Sequence, residues 1–314
     1  VTPVEDRICS ATGARRVERI AHLQAVWSGW GELARYRLVD GPVETVVVKH
    51  IAPAVGHPRG WSGSVGDARK RRSYEVEAAF YRRPPRGPRR AHAWLAEPDL
   101  FVLEDLDAAG FATRRTFGRL TDTEVRATLD ALASFHAAHL HDPGDGLWPV
   151  GTYWHLDTRP DELAAMRAGP LRDAAPAIDA RLRAATSTLV HGDAKVANVC
   201  YAPVVHTARD LALVDFQYTG RGPGIVDVVY FLGSCLPDDA LHTHVDRYVG
   251  HHARALRSLL SSRDLTVSDE WRDLEDFAWA DFERFLAGWA PGHAKRGTYA
   301  AARTARAMER LATT

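Results

Sequence analysis

The sequence predicts an α+β protein of two lobes, a small β-sheet lobe with one long helix followed by a larger, mostly helical lobe. Two observations carry this. Strand-like patterns crowd the first third of the 314-residue chain, and helical periodicity takes over afterwards. Between them the apolar run "LFVLEDL", 100–106, leaves its core at an acidic residue, as a chain does when it passes from one core to another. The expected division is an N-lobe over 1–103, a hinge over 104–108 and a C-lobe over 109–314.

The elements follow in order. Residues 14–26 carry apolar positions at helical spacing and are expected to form a short amphipathic helix. "WSGWGELARYRLVDGPVETVVVKH" then has strand chemistry: a turn at Gly29 and Gly31, alternation through Tyr36 and Leu38, a second turn at Asp40-Gly41-Pro42, and the β-branched run Thr45 to Val48 ending at Lys49. The segment 52–67 is rich in Gly, Pro and Ser and is expected to be a mobile loop with Trp61 at its centre. Ala68 to Arg83 reads as a helix with Tyr74, Ala78 and Tyr81 on one face, stopped by "PPRGP". Residues 122–140 open with a Thr/Asp cap and space Val125, Leu129, Leu132 and Phe135 as a helix does. Two short apolar runs, "STLVHGD" and "LALVDFQ", are expected to pair as a hairpin, and helices fill the chain from Asp239 onward, with a break near 288–297.

Bulk properties exclude several classes. Forty Lys plus Arg balance forty Asp plus Glu, so no global field favours nucleic acid or an acidic membrane face. Nine Lys and Arg residues lie between Arg69 and Arg90, but without interleaved aromatics they read as a solvated face. Three cysteines without CxxC spacing argue against a disulfide framework or a structural zinc, and His136, His139, His141, His251 and His252 lack a matching ligand set. No signal-peptide core and no run of about 18 apolar residues is present, so a cytoplasmic protein is expected, a monomer or homodimer without nucleic-acid or membrane partners. The first residue is Val rather than Met, and removal of a few residues ahead of it is expected.

Chemistry concentrates at "HGDAKVAN". His191, Asp193, Lys195 and Asn198 stand in the H-x-D-x-K-x-x-N spacing of a protein-kinase catalytic loop, with Gly192 where an Arg is usual. Asp193 is placed to accept a hydroxyl proton. Twenty-two residues later Asp215 ends an apolar run, and together with Asn198 it offers hard oxygen ligands for a divalent metal. Lys49 points inward from an apolar strand and needs a counter-charge, for which Glu77 is preferred and Glu75 is the alternative. The turn around Ser28, Gly29 and Gly31 lets backbone N–H groups approach phosphate, although the full G-x-G-x-x-G is missing.

In order, "SGWGEL", "VVVK", "EAAFY", "VLEDL", "ASFHAAH", "HGDAKVAN", "VDFQ" and "GPGIVDVVYFL" resemble the aminoglycoside phosphotransferase and choline kinase-like superfamily, nearest its ecdysteroid kinase-like branch. The resemblance spans about residues 14–235. It implies a protein-kinase-like bilobal fold with ATP between the lobes, adenine held near Glu104 to Leu106, and Lys49 on the phosphates. It further implies Asp193 as the base, Asn198 and Asp215 on Mg²⁺, and Asp227 as a structural brace. His191 would brace the loop and Lys195 would stabilise charge on the moving phosphoryl group. Only about ten residues separate "VDFQ" from "VDVVYFL", too few for the activation segment of a protein kinase, so the expected acceptor is the hydroxyl of a small molecule such as an antibiotic, natural product or related metabolite.

"SDEWRDLEDFAWADFERF", 268–285, interleaves acids with aromatics, and Glu270, Trp271, Asp276 and Trp279 are candidates for holding an amine-bearing or sugar-like acceptor. The simpler reading is an amphipathic helix with acids in water and aromatics in the core. Two other functions compete with a kinase. One is a nucleotide-binding regulatory module without turnover, and the other is a metal-dependent phosphate hydrolase using His191, Asp193 and Asp215.

Overall fold

The computed structural model describes residues 3–26, 29–52, 64–293 and 295–313. Ser28 and most of the expected loop at 52–67, Trp61 included, lie outside them. The first half builds a five-stranded antiparallel sheet in the order β1-β2-β3-β5-β4, from β1 (Arg16–Ala25), β2 (Gly31–Val39), β3 (Thr45–Ile51), β4 (Ala93–Glu97) and β5 (Leu100–Glu104). The two-residue period of a strand divides its side chains between two cores. Val46, Val48, Leu100 and Val102 face α1 (Val4–Thr12), whose Ile8 is fully buried among them. Ile51 and Phe101 face the opposite way, toward α2 (Ser64–Arg82), and so does Lys49, which pairs in register with Phe101.

The helix expected at 14–26 is a strand instead. Val17, Ile20, Leu23 and Val26 recur every three residues, yet Ile20 and Leu23 are exposed and only Val17 and Val26 are buried. β1 is an edge strand with irregular pairing at Arg19/Ala21 and His22/Gln24, and such bulges shift which residues face the core, so the spacing imitates a helix.

The segment after β5, expected to be the hinge, is fixed by Asp105, which sequence reasoning missed. Its buried carboxylate accepts two hydrogen bonds from Arg35 of β2, at 2.6 and 3.1 Å, and one from Thr45 of β3 at 2.8 Å, and it caps the N–H of Asp107. Burial opposes the charge, but Arg35 and Thr45 outweigh it and hold the carboxyl below the usual aspartate range.

The second half is helical around α6 (Ile225–Cys235), every residue of which is buried. Against it pack α3 (Asp122–Ala138), opened by a Thr121/Glu124 capping box, and α9 (Glu275–Trp289). α4 (Pro160–Ala165), α5 (Pro170–Arg183), α7 (Asp238–Leu259), α8 (Val267–Asp273) and α10 (Thr298–Ala312) complete this layer. Small strands frame the catalytic-type loop, but not as the expected hairpin. β7 (Thr188–Val190) pairs with β10 (Gly220–Gly222), while β9 (Leu211–Leu213) pairs with β8 (Val199–Tyr201), which in turn pairs with β6 (Thr113–Arg114). A 3-10 turn at Val196–Asn198 delivers the chain straight into β8, which takes the partner that β7 was expected to have. β10 reads Gly-Arg-Gly and carries no strand signature.

Replacing Asp105 by Ala leaves Arg35 without its buried partner, and a loss of about 2–4 kcal/mol is expected, read as a fall in thermal midpoint of several degrees. The Asp105 pKa is depressed in the folded state, so its contribution is present above the unfolded value near 4 and is lost as pH falls through the folded value. The deficit of the variant relative to the parent protein should therefore shrink in melts recorded below about pH 4.

Candidate active site

The loop between β7 and β8 is held from behind by one carboxylate. Asp227, in the first turn of α6 and without solvent exposure, accepts the backbone N–H of His191 at 2.6 Å through one oxygen and that of Gly192 at 2.9 Å through the other. Its first oxygen also meets His136 of α3 at 3.1 Å, and the other nitrogen of His136 meets His252 of α7 at 3.1 Å. Two of the five histidines that lacked a matching ligand set are thus packed structural groups. His191 locks the front of the loop. Its Nδ1 receives the N–H of Asp193 at 3.3 Å and its Nε2 donates to the carbonyl of Val214 at 3.0 Å, a pattern that fixes a neutral tautomer and ties the loop to the segment carrying Asp215.

Asp193 sits at the turn with one oxygen committed and one free. Lys195 Nζ reaches Oδ2 at 2.7 Å and Asn198 Nδ2 reaches the same oxygen at 3.0 Å, while also bonding the Asp193 carbonyl at 2.8 Å. Oδ1 is buried with no hydrogen-bond partner among the described residues. A buried acceptor without a donor is unfavourable, and a substrate hydroxyl would satisfy it. The Asn198 amide spends its N–H groups on Asp193, which leaves its carbonyl oxygen for a cation.

Asp215 follows β9 with φ of 69°, a left-handed conformation uncommon for a residue with a side chain. Its Oδ1 is also buried and lacks a hydrogen bond among the described residues, although Lys49 Nζ approaches it at 3.7 Å. Lys49 itself bonds Glu77 at 2.6 Å, which settles the choice between the two glutamates, because Glu75 pairs with Arg72. Phe216 stacks on Phe80 of α2 with ring centroids 4.2 Å apart, so the helix bearing Glu77 and the segment bearing Asp215 share one packing contact.

The two aspartates are driven apart in acidity. Burial raises the Asp193 carboxyl above the usual range. Burial acts in the same direction on Asp215, but Lys49, Lys195 and Lys70 outweigh it and hold that group down. One acid is thereby suited to take a proton and the other to remain an anion and bind metal. Lys70, one heptad before Glu77 on α2 and with its ammonium 4.9 Å from the Tyr74 ring centroid, was missed in the sequence because it stands in the cationic run that read as a solvated face. Burial and the nearby Lys49 lower it to about 8.

Of the nucleotide-side candidates, Gly29 and Gly31 both have positive φ, and a Cβ on Gly31 would lie 1.9 Å from the carbonyl of His50 on β3. Glu104 spends its N–H on the His92 carbonyl, and the Leu106 carbonyl accepts from Phe111. Its side chain packs with Ala91, Cys200 and Ala212. The acceptor candidates of the C-lobe are not brought to Asp193. Glu270 and Trp271 hold the N–H and C=O of Thr186, Asp276 is paired with Arg303, and Trp279 is buried against Tyr299. The groups that act on the Asp193 side are instead Tyr153, Tyr230 and Lys295, which come from three separate parts of the chain.

Gly192 explains its own departure from the usual Arg. Its φ is 79°, and a Cβ would lie 2.0 Å from the Tyr218 carbonyl oxygen and 2.8 Å from the Thr152 nitrogen. Gly192→Ala is expected to lose about 3 kcal/mol or more from strain plus overlap, read by chemical denaturation, whereas Gly118→Ala, at a similar φ but with open space, should lose clearly less.

Comparison with known proteins fits this geometry. Residues 160–264, about a third of the chain, match the model of the ecdysteroid kinase-like family. No curated protein gives a significant match. Among solved structures, the chain is similar to a candidate fructosamine-3-kinase of Thermobifida fusca, with 17% identity, 99% of each chain covered and a TM-score of 0.57. It is also similar to a macrolide 2'-phosphotransferase of Brachybacterium faecium, with 14% identity, 95% and 96% coverage and a TM-score of 0.53. A candidate aminoglycoside phosphotransferase of Ralstonia eutropha aligns at 13% identity over 98% of this chain and 94% of its own, with a TM-score of 0.52. At such identities the likeness is one of fold, and the chain has the protein-kinase-like fold with a C-lobe segment that matches the ecdysteroid kinase-like family model.

Proposed function

We propose that the protein is an ATP-dependent O-phosphotransferase that moves the γ-phosphoryl group to a hydroxyl of a small molecule. The observation that carries this reading is the pair of buried carboxylate oxygens without a hydrogen bond among the described residues, Oδ1 of Asp193 and Oδ1 of Asp215, with Lys49, Lys70 and Lys195 acting on Asp215. Three cations around a carboxylate suit a polyphosphate. The structures to which the fold is similar include named phosphotransferases, which agrees with the same chemistry.

The Asp215 carboxylate and the Asn198 carbonyl fit Mg²⁺, since both are hard oxygen donors and Asp215 Oδ1 is buried without a hydrogen bond among the described residues, with the Lys49 ammonium near it at 3.7 Å. Bound there, the ion would neutralise phosphate oxygens. Lys49, positioned by Glu77, holds the phosphate chain in place, and its ammonium stays above the usual lysine range because Glu77 and Asp215 outweigh the effect of burial. Asp193 accepts the proton of the acceptor hydroxyl at Oδ1. The acceptor oxygen then bonds to the γ-phosphorus as the bond from that phosphorus to the β,γ-bridging oxygen breaks, and ADP leaves with that electron pair. Lys195, held on the other Asp193 oxygen, faces the charge that moves to the equatorial phosphoryl oxygens.

The acceptor is proposed to be a natural product, antibiotic or related metabolite. None of the helices described is long and apolar enough to cross a membrane. Cys200 and Cys235 are buried free thiols, which is consistent with a proposed cytoplasmic setting.

Asp193→Asn is expected to lower acceptor-stimulated ADP release by roughly 10²–10⁴-fold while Mg²⁺–ATP still binds. Coupled-assay turnover alongside calorimetric binding separates the two. Unchanged turnover would remove Asp193 as the base, and nucleotide binding without turnover across acceptor classes in the parent protein would favour a regulatory module.

A further inference from the structure

The carboxylate that holds the catalytic-type loop from behind is itself held by a chain of two histidines. Asp227 takes the N–H of His191 on Oδ2 and that of Gly192 on Oδ1, and a third donor, His136 Nε2 of α3, reaches Oδ2 at 3.1 Å. A carboxyl group that only accepts is ionised. The group has no solvent exposure, and its place in the first turn of α6 helps it stay charged, because the N-terminal end of a helix favours an anion.

His136 must therefore carry a proton on Nε2. Three N–H donors and the helix end already meet the Asp227 charge, and His136 is fully buried, so a second proton on its ring would be a charge without water. Its Nδ1 is then an acceptor in need of a donor. His252 Nε2 of α7 stands 3.1 Å from it, with His252 itself only 3% exposed. Burial, and after it the neighbouring His136 and His251, hold His252 well below the usual histidine range, so this ring is neutral too. The one proton of the contact sits on His252 Nε2.

The slot around the His136 ring is made to fit. A Cβ on Gly224, the residue before α6, would lie 2.6 Å from His136 Nδ1 and 2.5 Å from the Trp271 ring. The φ of Gly224 is −58°, an ordinary helical value, so this glycine serves the close approach rather than the backbone turn. Trp271 of α8 stands at 89° to the His136 ring with centroids 5.7 Å apart, and Thr188 Oγ1 ties the His136 carbonyl to β7 at 2.7 Å, just ahead of the loop. His251, next to His252 on α7, takes no part and pairs instead with Asp130 of α3 at 2.7 Å.

Resting on the kinase reading above, we propose that His252 is a positioning residue for phosphoryl transfer: its Nε2–H fixes the tautomer of His136, which keeps Asp227 on the backbone of His191 and Gly192 and so keeps Asp193 in place. Without that donor the buried Nδ1 of His136 is left unsatisfied, and the ring keeps its proton on Nε2 only at a cost. A proton moved to Nδ1 takes from Asp227 one of its three partners. His252 touches neither nucleotide nor acceptor.

The test reads the chain first in the unaltered protein. Ring-nitrogen NMR on the full chain with isotope-labelled histidine, assigned by the signals lost in His136→Gln and His252→Gln, should show both residues as neutral Nε2–H tautomers at neutral pH. An Nδ1–H form or an imidazolium at either position overturns the proposal. His252→Leu should speed hydrogen exchange of the His191 and Gly192 amides by about tenfold or more, the size expected when a buried acceptor loses its donor. It should lower kcat for acceptor-stimulated ADP release by about the same factor, with the nucleotide Kd unchanged. His252→Gln, whose amide N–H reaches the same place, should restore both. His251→Leu removes a polar contact from the same pair of helices and should leave both as they are in the parent protein. Equal losses in His251→Leu and His252→Leu, absence of rescue by Gln, or unchanged exchange and turnover in His252→Leu overturns the proposal. Should His252→Leu not fold, the tautomers in the parent protein still decide. Absence of ADP release with every acceptor in the parent protein would instead overturn the kinase reading, and the tautomers and amide exchange would still show whether His252 orders the loop.

Discussion

Five charges cross the cleft in alternating sign: Glu77, Lys49, Asp215, Lys195 and Asp193. Each acid is stabilised by the lysine beside it, and each lysine is held by acids on either side. Removing any member leaves its neighbours desolvated and unbalanced, which is the condition under which buried ion pairs matter most. Much of the fold serves to keep this order. β3 supplies Lys49, α2 supplies Glu77, the β7–β8 loop supplies Asp193 and Lys195, and the end of β9 supplies Asp215.

The array spans both lobes, so the lobes must be joined without freezing the cleft. Asp105, just after β5, is secured to β2 and β3 through Arg35 and Thr45. Arg69, Arg72 and Arg83 bind carbonyls or a carboxylate of the C-lobe, so the cationic stretch that read as a solvated face partly stitches α2 to the opposite lobe. Phe216 stacking on Phe80 adds an apolar contact beside the same helix. α2 thus contacts both sides of the array, through Glu77 on Lys49 and through Phe80 on the residue after Asp215.

Four of the five members were legible because each ends an apolar run or stands at a fixed offset in one short loop, whereas Glu77 lies inside a helix and had Glu75 as its alternative. Lys49 closes a β-branched strand, Asp215 follows β9, and His191 to Asn198 are local in sequence. The helix at 14–26 was misread because a bulged edge strand places apolar residues every three positions. β8 and β10 are three residues each, too short for periodicity to register. The acids of 268–285 looked available because the sequence does not reveal their partners. Arg303, Arg306 and Arg310 reach Asp276 from α10, and Arg296 reaches Glu283 across a turn. Lys295 carried no signal at all, since it stands in a polar turn and gains meaning only from Tyr230, 65 positions earlier, and Asp193, about a hundred positions earlier.

The central claim is that Asp215 and its lysines form a site for a metal-bound polyphosphate. Calorimetric affinity for a non-hydrolysable ATP analogue, with and without Mg²⁺, in the parent protein and in Asp215→Asn, addresses it most directly. Mg²⁺ is expected to tighten binding by at least tenfold in the parent protein and to leave the affinity of Asp215→Asn nearly unchanged. Affinity independent of Mg²⁺ in the parent protein, or an equal Mg²⁺ effect in the variant, would contradict it.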